Sequence, residues 1–549
     1  MNAAQLMVQC LEAEEVQYIF GVPGEENEDF LFALQDSSIT FVPVRHEQGG
    51  AFIADVWGRI TGRAGVCLAT LGPGATNLIT GVADANLDKS PLVAITGQGG
   101  IDRLHHESHQ VIDVVDMMQS VTKWSGSVSS PEVIPEMVRK AFKVAQTEKP
   151  GATHIELPED IAGQELSTPM MPLSKTNVRR SSPDSTSIRH AIELIQKSKR
   201  PIIVAGNGAI RTRASQALTQ FSKAYNIPVA CTFMGKGAVS DREPHCLGAV
   251  GLGFKDFVIE AFEMSDLIIS IGYDIAEYNP ENWNPSNDKT IIHLDFDPAE
   301  VYTHYVPELE VVADIADSIR SIHDGMGDHP TWESWYEDIQ NRIHESIASY
   351  SLPEDSTIFN APAVINVVRE ILSDDGLLIS DVGSHKMWIA RNYRTYQPNG
   401  CLISNGLASM GISLPGGIAA KLIDENRHVV CVMGDGGAMM NIQELETASR
   451  LGVGYIIIIL NDNNYGLIEW KQNMNEGKSF GTRLTNPNFV KLAESFGING
   501  YMPDSIADLR SILHKALDAN ELAVIEIPIS TEVNNELIDS LKSYYSRQK

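Results

Sequence analysis

The chain has 549 residues, 43% of them apolar and 21% charged, which suits a globular protein of about three domains. Its 42 Lys and Arg stand against 71 Asp and Glu, a net charge of −29, so the summed field repels nucleic acid and anionic lipid. An anionic substrate therefore needs local cations, a helix N-terminus or a metal ion.

The opening "MNAAQLMVQCLEAEEVQYIFGVPG" reads as an acidic amphipathic helix running into a strand, without the basic start of a secretory signal. The stretch Gly65–Gly97, "GVCLATLGPGATNLITGVADANLDKSPLVAITG", reads strand, Gly/Pro turn, helix, strand. Between Leu166 and Ser187, "LSTPMMPLSKTNVRRSSPDSTS" is rich in Pro, Ser and Thr and reads as a linker. "RPIIVAGNGAI" and "ASQALTQFSKAYNIPVACTF" repeat the strand–helix alternation. A softer break follows the polar helical stretch near Trp332–Ile347. The last third alternates again, through "RHVVCVMGDGG", a helical stretch Asn441–Leu451 and the aliphatic run Tyr455–Leu460.

Continuous Val/Ile runs bounded by glycines predict strands buried on both faces, hence parallel α/β sheets. The division that results is 1–165, 186–345 and 355–549. The longest aliphatic runs are strand-length, so no membrane span is expected. The six cysteines (Cys10, Cys67, Cys231, Cys246, Cys401 and Cys431) form no CxxC pair and read as buried, reduced thiols of a cytoplasmic protein.

The segment "GDGGAMMNIQELETASRLGVGYIIIILNDNNYG" carries the chemistry. Asp435 follows one predicted strand and Asp462 the next, 27 residues on (462 − 435), about one βαβ unit. Parallel strands end on the same sheet edge, so both carboxylates are expected in one crevice. Gly434, Gly436 and Gly437 let backbone N–H groups approach a ligand, and a helix opening near Asn441 adds its positive end. Two hard oxygen ligands beside an anion-friendly backbone suggest Mg²⁺ bridging a diphosphate, with Asn464 completing the coordination through its backbone carbonyl. A capping Asp in a structural Gly-rich turn is the plainer alternative.

GDG followed by N-[ND]-N resembles the thiamine diphosphate motif of the pyruvate decarboxylase-like enzymes. "FVPVRHEQGGAFIADVWGRITGRAGVCLATLGPGATNLITG", "SDVGSHKMWIARNYRT" and "ISNGLASMGISLPGGIAA" are similar to the first and last domains of acetolactate synthases. "IGYDIAEYNPENWN" resembles the middle domain of the catabolic, FAD-independent type. The resemblance implies three doubly wound parallel-sheet α/β domains: pyrimidine-binding, middle and diphosphate-binding.

It also implies roles. Glu47, in "VRHEQGG", would lie against the aminopyrimidine, where a carboxyl bonded to the ring nitrogen turns the exocyclic nitrogen into the base that deprotonates the thiazolium. Met410 would hold the two cofactor rings in a V, a matter of proximity, while the backbone of Ala408 and Met410 binds the pyrimidine. Gly383, Ser384, His385, Gly436 and Gly437 would meet the diphosphate, with Asn464 and Tyr465 beside them. Gln110, in "HESHQVID", would hydrogen-bond a developing alkoxide. Gly72 would pack at the cofactor and a partner subunit, a generic anion-binding turn being the alternative.

Three further features read differently. His105, His106 and His109 invite a zinc reading, but the spacing is not HExxH and no third ligand is apparent. "VAGNGAI" lacks the third glycine of a dinucleotide turn, and Gly272 is followed by "YDIAEYNPENWN" instead of the arginine-rich flavin segment, so no FAD is expected. Trp470 lies one position out of register with the tryptophan that biosynthetic synthases use for substrate choice and reads as a core or lid aromatic.

The implied reaction joins two pyruvates into 2-acetolactate with loss of CO₂, in a homodimer or homotetramer whose active site lies between subunits. Other 2-keto acids, and a biosynthetic (branched-chain amino acid) or catabolic role, stay open. The rivals are a 2-keto acid decarboxylase, which would release an aldehyde, a flavin-dependent pyruvate oxidase, which would be yellow, and a non-catalytic regulatory subunit, which intact Glu47, Asp435 and Asp462 argue against.

Overall fold

The computed structural model describes residues 1–176, 178–251 and 256–535. Asn177, inside the linker, and residues 536–549, inside the last segment, lie outside this set. Strands β1 (Tyr18–Gly21), β2 (Thr40–Pro43), β3 (Gly65–Ala69), β4 (Leu92–Gln98), β5 (Trp124–Ser127) and β6 (Ala152–Pro158) form a first sheet in the order β2-β1-β3-β4-β6-β5. Its core joins Leu6, Met7 and Leu11 of the first helix to Val66, Leu68, Val93 and Ile95 of the strands.

Strands β7 (Pro201–Ala205), β8 (Val229–Cys231), β9 (Cys246–Ala249), β10 (Leu267–Ile271), β11 (Thr290–Asp295) and β12 (Leu309–Val312) form the second, ordered β12-β11-β10-β7-β8-β9. The third comprises β13 (Leu377–Ser380), β14 (Cys401–Ile403), β15 (Val429–Gly434), β16 (Ile456–Asn461), β17 (Asn499–Tyr501) and β18 (Ala523–Pro528), ordered β14-β13-β15-β16-β18-β17.

Each adjacent pair of these strands runs parallel. The central strands are buried along their whole length, β4, β7, β10 and β16 without an exposed position, which is why they read as unbroken Val/Ile runs. Renumbered from its own first strand, the third sheet has the same order as the first, 2-1-3-4-6-5. The second reads 6-5-4-1-2-3, the order of dinucleotide-binding sheets.

By packing, the described chain forms two compact units. One holds Met1–Val178, Gly406–Asn426 and Ala438–Gly454; the other holds Arg179–Asn405, Arg427–Gly437 and the chain from Tyr455 onward. In the first, the helix Ser413–Ile423 packs on the helix Glu47–Thr61. In the second, Cys231, Phe233 and Ala249 share one apolar cluster with Val364, Trp388 and Ile458, so two sheets rest on a continuous core. All six cysteines are buried and free. Among the described residues no helix is long and apolar enough to cross a membrane.

Candidate active site

In the third sheet β13 is flanked by β14 on one side and β15 on the other. Chain connections diverge there, which opens a crevice at the strands' C-terminal ends. Asp381, Val382, Gly383 and Ser384 follow β13; Asp435, Gly436 and Gly437 follow β15; Asp462 follows β16. β15 and β16 pair with Gly434 opposite Leu460, so both acidic residues leave the sheet at the same level.

Asp435 is almost fully buried, at 1% exposure. Its carboxylate touches that of Asp462, whose pKa is pushed up to about 7, first by burial and then by the charge of Asp435. Two carboxylates in contact with no cation between them repel, and a divalent ion removes the conflict. Asn464 donates its backbone N–H to Asp462 Oδ1 at 3.1 Å, while its own side-chain Oδ1 is buried without a hydrogen-bond partner. That orphaned oxygen, two residues from Asp462 and distinct from the backbone carbonyl expected above, offers a neutral third donor, and such a set suits Mg²⁺.

The diphosphate side fits too. Gly383 caps the helix Ser384–Asn392 without a side-chain hydrogen bond, and a helix N-terminus of this kind suits an anion. His385 is buried, its pKa lowered to about 4 chiefly by desolvation, so the ring is neutral, and its Nε2 has no partner. The ring's other nitrogen bonds the Asp381 backbone, so Nε2 can donate to a phosphate oxygen only in the protonated ring, a state that an anion beside it favours. A Cβ on Gly436 would stand 2.7 Å from the Tyr465 ring, and one on Gly437 would stand 2.8 Å from Asp381 Oδ1, so the GDG backbone lies against both.

The helix expected near Asn441 is divided. A four-residue turn, Asp435–Ala438, begins at the acidic residue itself, and the longer helix is Glu444–Leu451. Asn441 instead donates to the Gly411 carbonyl at 2.9 Å.

The first unit holds the remaining predicted residues. Glu47 opens the helix Glu47–Thr61, 8% exposed, and accepts from Asn77 Nδ2 at 3.0 Å. Gly72 has φ +46°, and a Cβ there would sit 2.4 Å from the Gln110 carbonyl oxygen; the turn and the Gln110 loop thus meet backbone to backbone. Gln110 is exposed, and Gln98 ties its loop down by donating to the Ile112 carbonyl at 3.0 Å.

Ala408, at φ +56°, and Met410 lie on the loop after β14. Gly406 N–H and Ser409 N–H hold that loop to Asp88 and Asp84 at 2.5 and 3.4 Å. Arg59, on the Glu47 helix, bridges Asp55, Asp84 and Asp88 at 2.6–2.8 Å in a buried network. Fourteen residues of the predicted set thus fall into two groups, Glu47, Gly72, Gln110, Ala408 and Met410 in the first unit and the other nine in the second.

Three supporting groups escaped the sequence reading. Asn486 donates through Nδ2 to Asp435 Oδ2 at 2.5 Å and to Asn461 Oδ1 at 3.0 Å, although it lies in the irregular stretch "RLTNPNF" with no motif to mark it. Asp381 was legible in principle, being an acidic residue between a strand and a glycine. The Arg59 network gave no local signal, because its three acids are 4, 25 and 29 residues away.

His105, His106 and His109 are exposed, and no cluster of three or more His, Cys, Asp or Glu able to hold a metal occurs among the described residues. Trp470 packs, half-buried, against the core of the second unit. In the central sheet the turn after β7 is already filled: Glu277 accepts the Asn207 N–H with both oxygens at 3.1 Å and takes the Thr232 hydroxyl. Burial and neighbouring Asp274 push the Glu277 pKa up to about 8.

Three family models match the chain in order: the N-terminal TPP binding domain of thiamine pyrophosphate enzymes over residues 1–117, the central domain over 188–322 and the C-terminal TPP binding domain over 381–527. The fold and the crevice are those of a thiamine pyrophosphate enzyme. The chain is 33% identical to the acetolactate synthase of Bacillus subtilis (strain 168), covering 98% of this chain and 94% of that one. It is 34% identical to the catabolic acetolactate synthase of Raoultella terrigena, over 98% and 97%, and 33% identical to a probable acetolactate synthase large subunit of Methanococcus aeolicus, over 96% and 92%. The chain belongs to the acetolactate synthase family.

Proposed function

We propose that this chain condenses two molecules of pyruvate into 2-acetolactate and CO₂, using thiamine diphosphate and Mg²⁺ and no FAD, as a cytoplasmic homotetramer organised as 1–165, 186–345 and 355–549. The observation that carries the reading is the contact between Asp435 and Asp462, with Asn464 Oδ1 two residues on buried and without a partner. When bound, the thiazolium supplies an electron sink for loss of the substrate carboxylate.

The chain's residues divide the remaining work. Asp435, Asp462 and Asn464 would hold the cation. His385, Gly383, Ser384, Gly436 and Gly437 would bind the diphosphate oxygens, with Tyr465 packed beside them. Glu47 would hold a proton at the pyrimidine nitrogen, and the Ala408–Met410 loop would bind and bend the cofactor. Gln110 would donate to oxygen where negative charge develops.

Glu277 supports independence from flavin. In a dinucleotide fold the first βα turn offers its N–H groups to a pyrophosphate; here the internal Glu277 carboxyl takes the Asn207 N–H, so that donor is already used.

Purified protein incubated with pyruvate, Mg²⁺ and thiamine diphosphate should yield acetolactate by mass, and its absorbance spectrum should lack flavin bands. Acetaldehyde as the main product would replace this reading with a decarboxylase. Acetyl phosphate from a yellow protein would replace it with an oxidase.

A further inference from the structure

Glu444 opens the helix Glu444–Leu451, yet its side chain serves a different part of the chain. It is fully buried, at 0% exposure. Oε1 accepts the backbone N–H groups of Arg45 at 3.1 Å and His46 at 3.0 Å. Oε2 accepts the Thr447 hydroxyl at 2.6 Å and lies 3.3 Å from the Arg45 nitrogen. Each of these groups can donate, so the carboxyl serves as an acceptor; burial pushes its pKa up while these hydrogen bonds pull it down.

The two N–H groups belong to the residues directly before Glu47, and His46 is the N-cap of its helix. The first turn is shaped to admit the carboxylate. A Cβ on Gly49 would lie 2.6 Å from Glu444 Oε1, so glycine stands at a helical position where alanine would otherwise be preferred. Carboxyl oxygens at this end also face the positive pole of the Glu47 helix.

We propose that Glu444 is a positioning residue for cofactor activation: it clamps the 45–46 backbone and thereby sets where the Glu47 carboxyl stands. The inference rests on the thiamine diphosphate reading above. It also gives the GDG segment a second task. The stretch that supplies Asp435 to the metal supplies, nine residues on (444 − 435), the anchor for the residue that activates the cofactor.

Two measurements test it. Amide hydrogen exchange in the cofactor-free protein should be slow at residues 45 and 46, at least tenfold faster in Glu444→Ala, and near wild type in Glu444→Gln, which keeps the Oε1 acceptor. With thiamine diphosphate and Mg²⁺ added, exchange of the thiazolium proton for deuterium should slow about 10- to 100-fold in Glu444→Ala, with KM for pyruvate unchanged and Glu444→Gln largely restored. Should Glu444→Ala not fold, Gly49→Ala, which pushes the carboxylate off its partners, must show the same two effects.

Unchanged amide protection would overturn the clamp. Lost protection with cofactor exchange at the wild-type rate would overturn the positioning role. A wild-type protein that fails to exchange the thiazolium proton would instead overturn the thiamine diphosphate reading, and the amide result would still judge the clamp.

Discussion

Asp462 shows how one residue's electrostatics define a site. Burial and Asp435 raise its pKa to about 7, above the usual value near 4. The metal-free fold is therefore most comfortable with Asp462 protonated. As pH rises from the unfolded value towards about 7, that fold loses stability, and above it the cost no longer grows. A bound cation needs the ionised form, so binding must release a proton below pH 7. Mg²⁺ affinity should rise about tenfold per pH unit between roughly pH 5 and 7 and then level off. Calorimetry in buffers of different ionisation enthalpy should show about one proton released per ion at the low end, and Asp462→Asn should flatten the profile. Glu47 makes a complementary case. Glu47→Gln keeps the shape but removes the exchangeable acid, so kcat should fall about 10²- to 10⁴-fold while thiamine diphosphate still binds, as read by steady-state kinetics alongside titration of the cofactor.

Among the elements, loops carry the precision and neighbouring segments hold them. Asn486 pins the Asn461–Asn464 loop to Asp435. Asn486→Ala should weaken Mg²⁺ about tenfold, the order of one or two charge-assisted hydrogen bonds, with only a small change in melting temperature; equal losses in both would mean that Asn486 is simply structural. The Met410 loop is held in another way, through Asp84 and Asp88, which Arg59 ties to the Glu47 helix. Arg59→Met would leave three buried carboxylates without their cation, and unfolding in urea should show a loss of about 3–5 kcal/mol. The alternation of strands and helices was readable from apolar runs and glycines. The split of the expected Asn441 helix was not, because Asn441 is drawn off to Gly411 by a contact 30 residues distant.

For the whole molecule, the first and third sheets along the chain share one strand order and the second has another, and no repeat in the sequence announces it, since many apolar sequences satisfy the same topology. The predicted residues divide between two packing units, and the proposal that the active site is completed between subunits calls for a direct test of assembly. Light scattering of the purified protein should give the mass of four chains, and dilution to dimers should preserve activity, whereas dilution to single chains should abolish it.

What the sequence determined by itself was the parallel α/β class, the strand-end placement of Asp435 and Asp462 and the residues of the thiamine diphosphate motif. Each of these depends on local periodicity or on spacing within one βαβ unit, and local chain geometry transmits both. Tertiary structure alone decided that the two carboxylates touch, that Asn464 Oδ1 and His385 Nε2 are left without partners, and that Asn486, Arg59 and Glu444 hold the site in place. Those facts depend on burial and on contacts between residues up to 399 positions apart, and such distances leave no periodic trace along the chain.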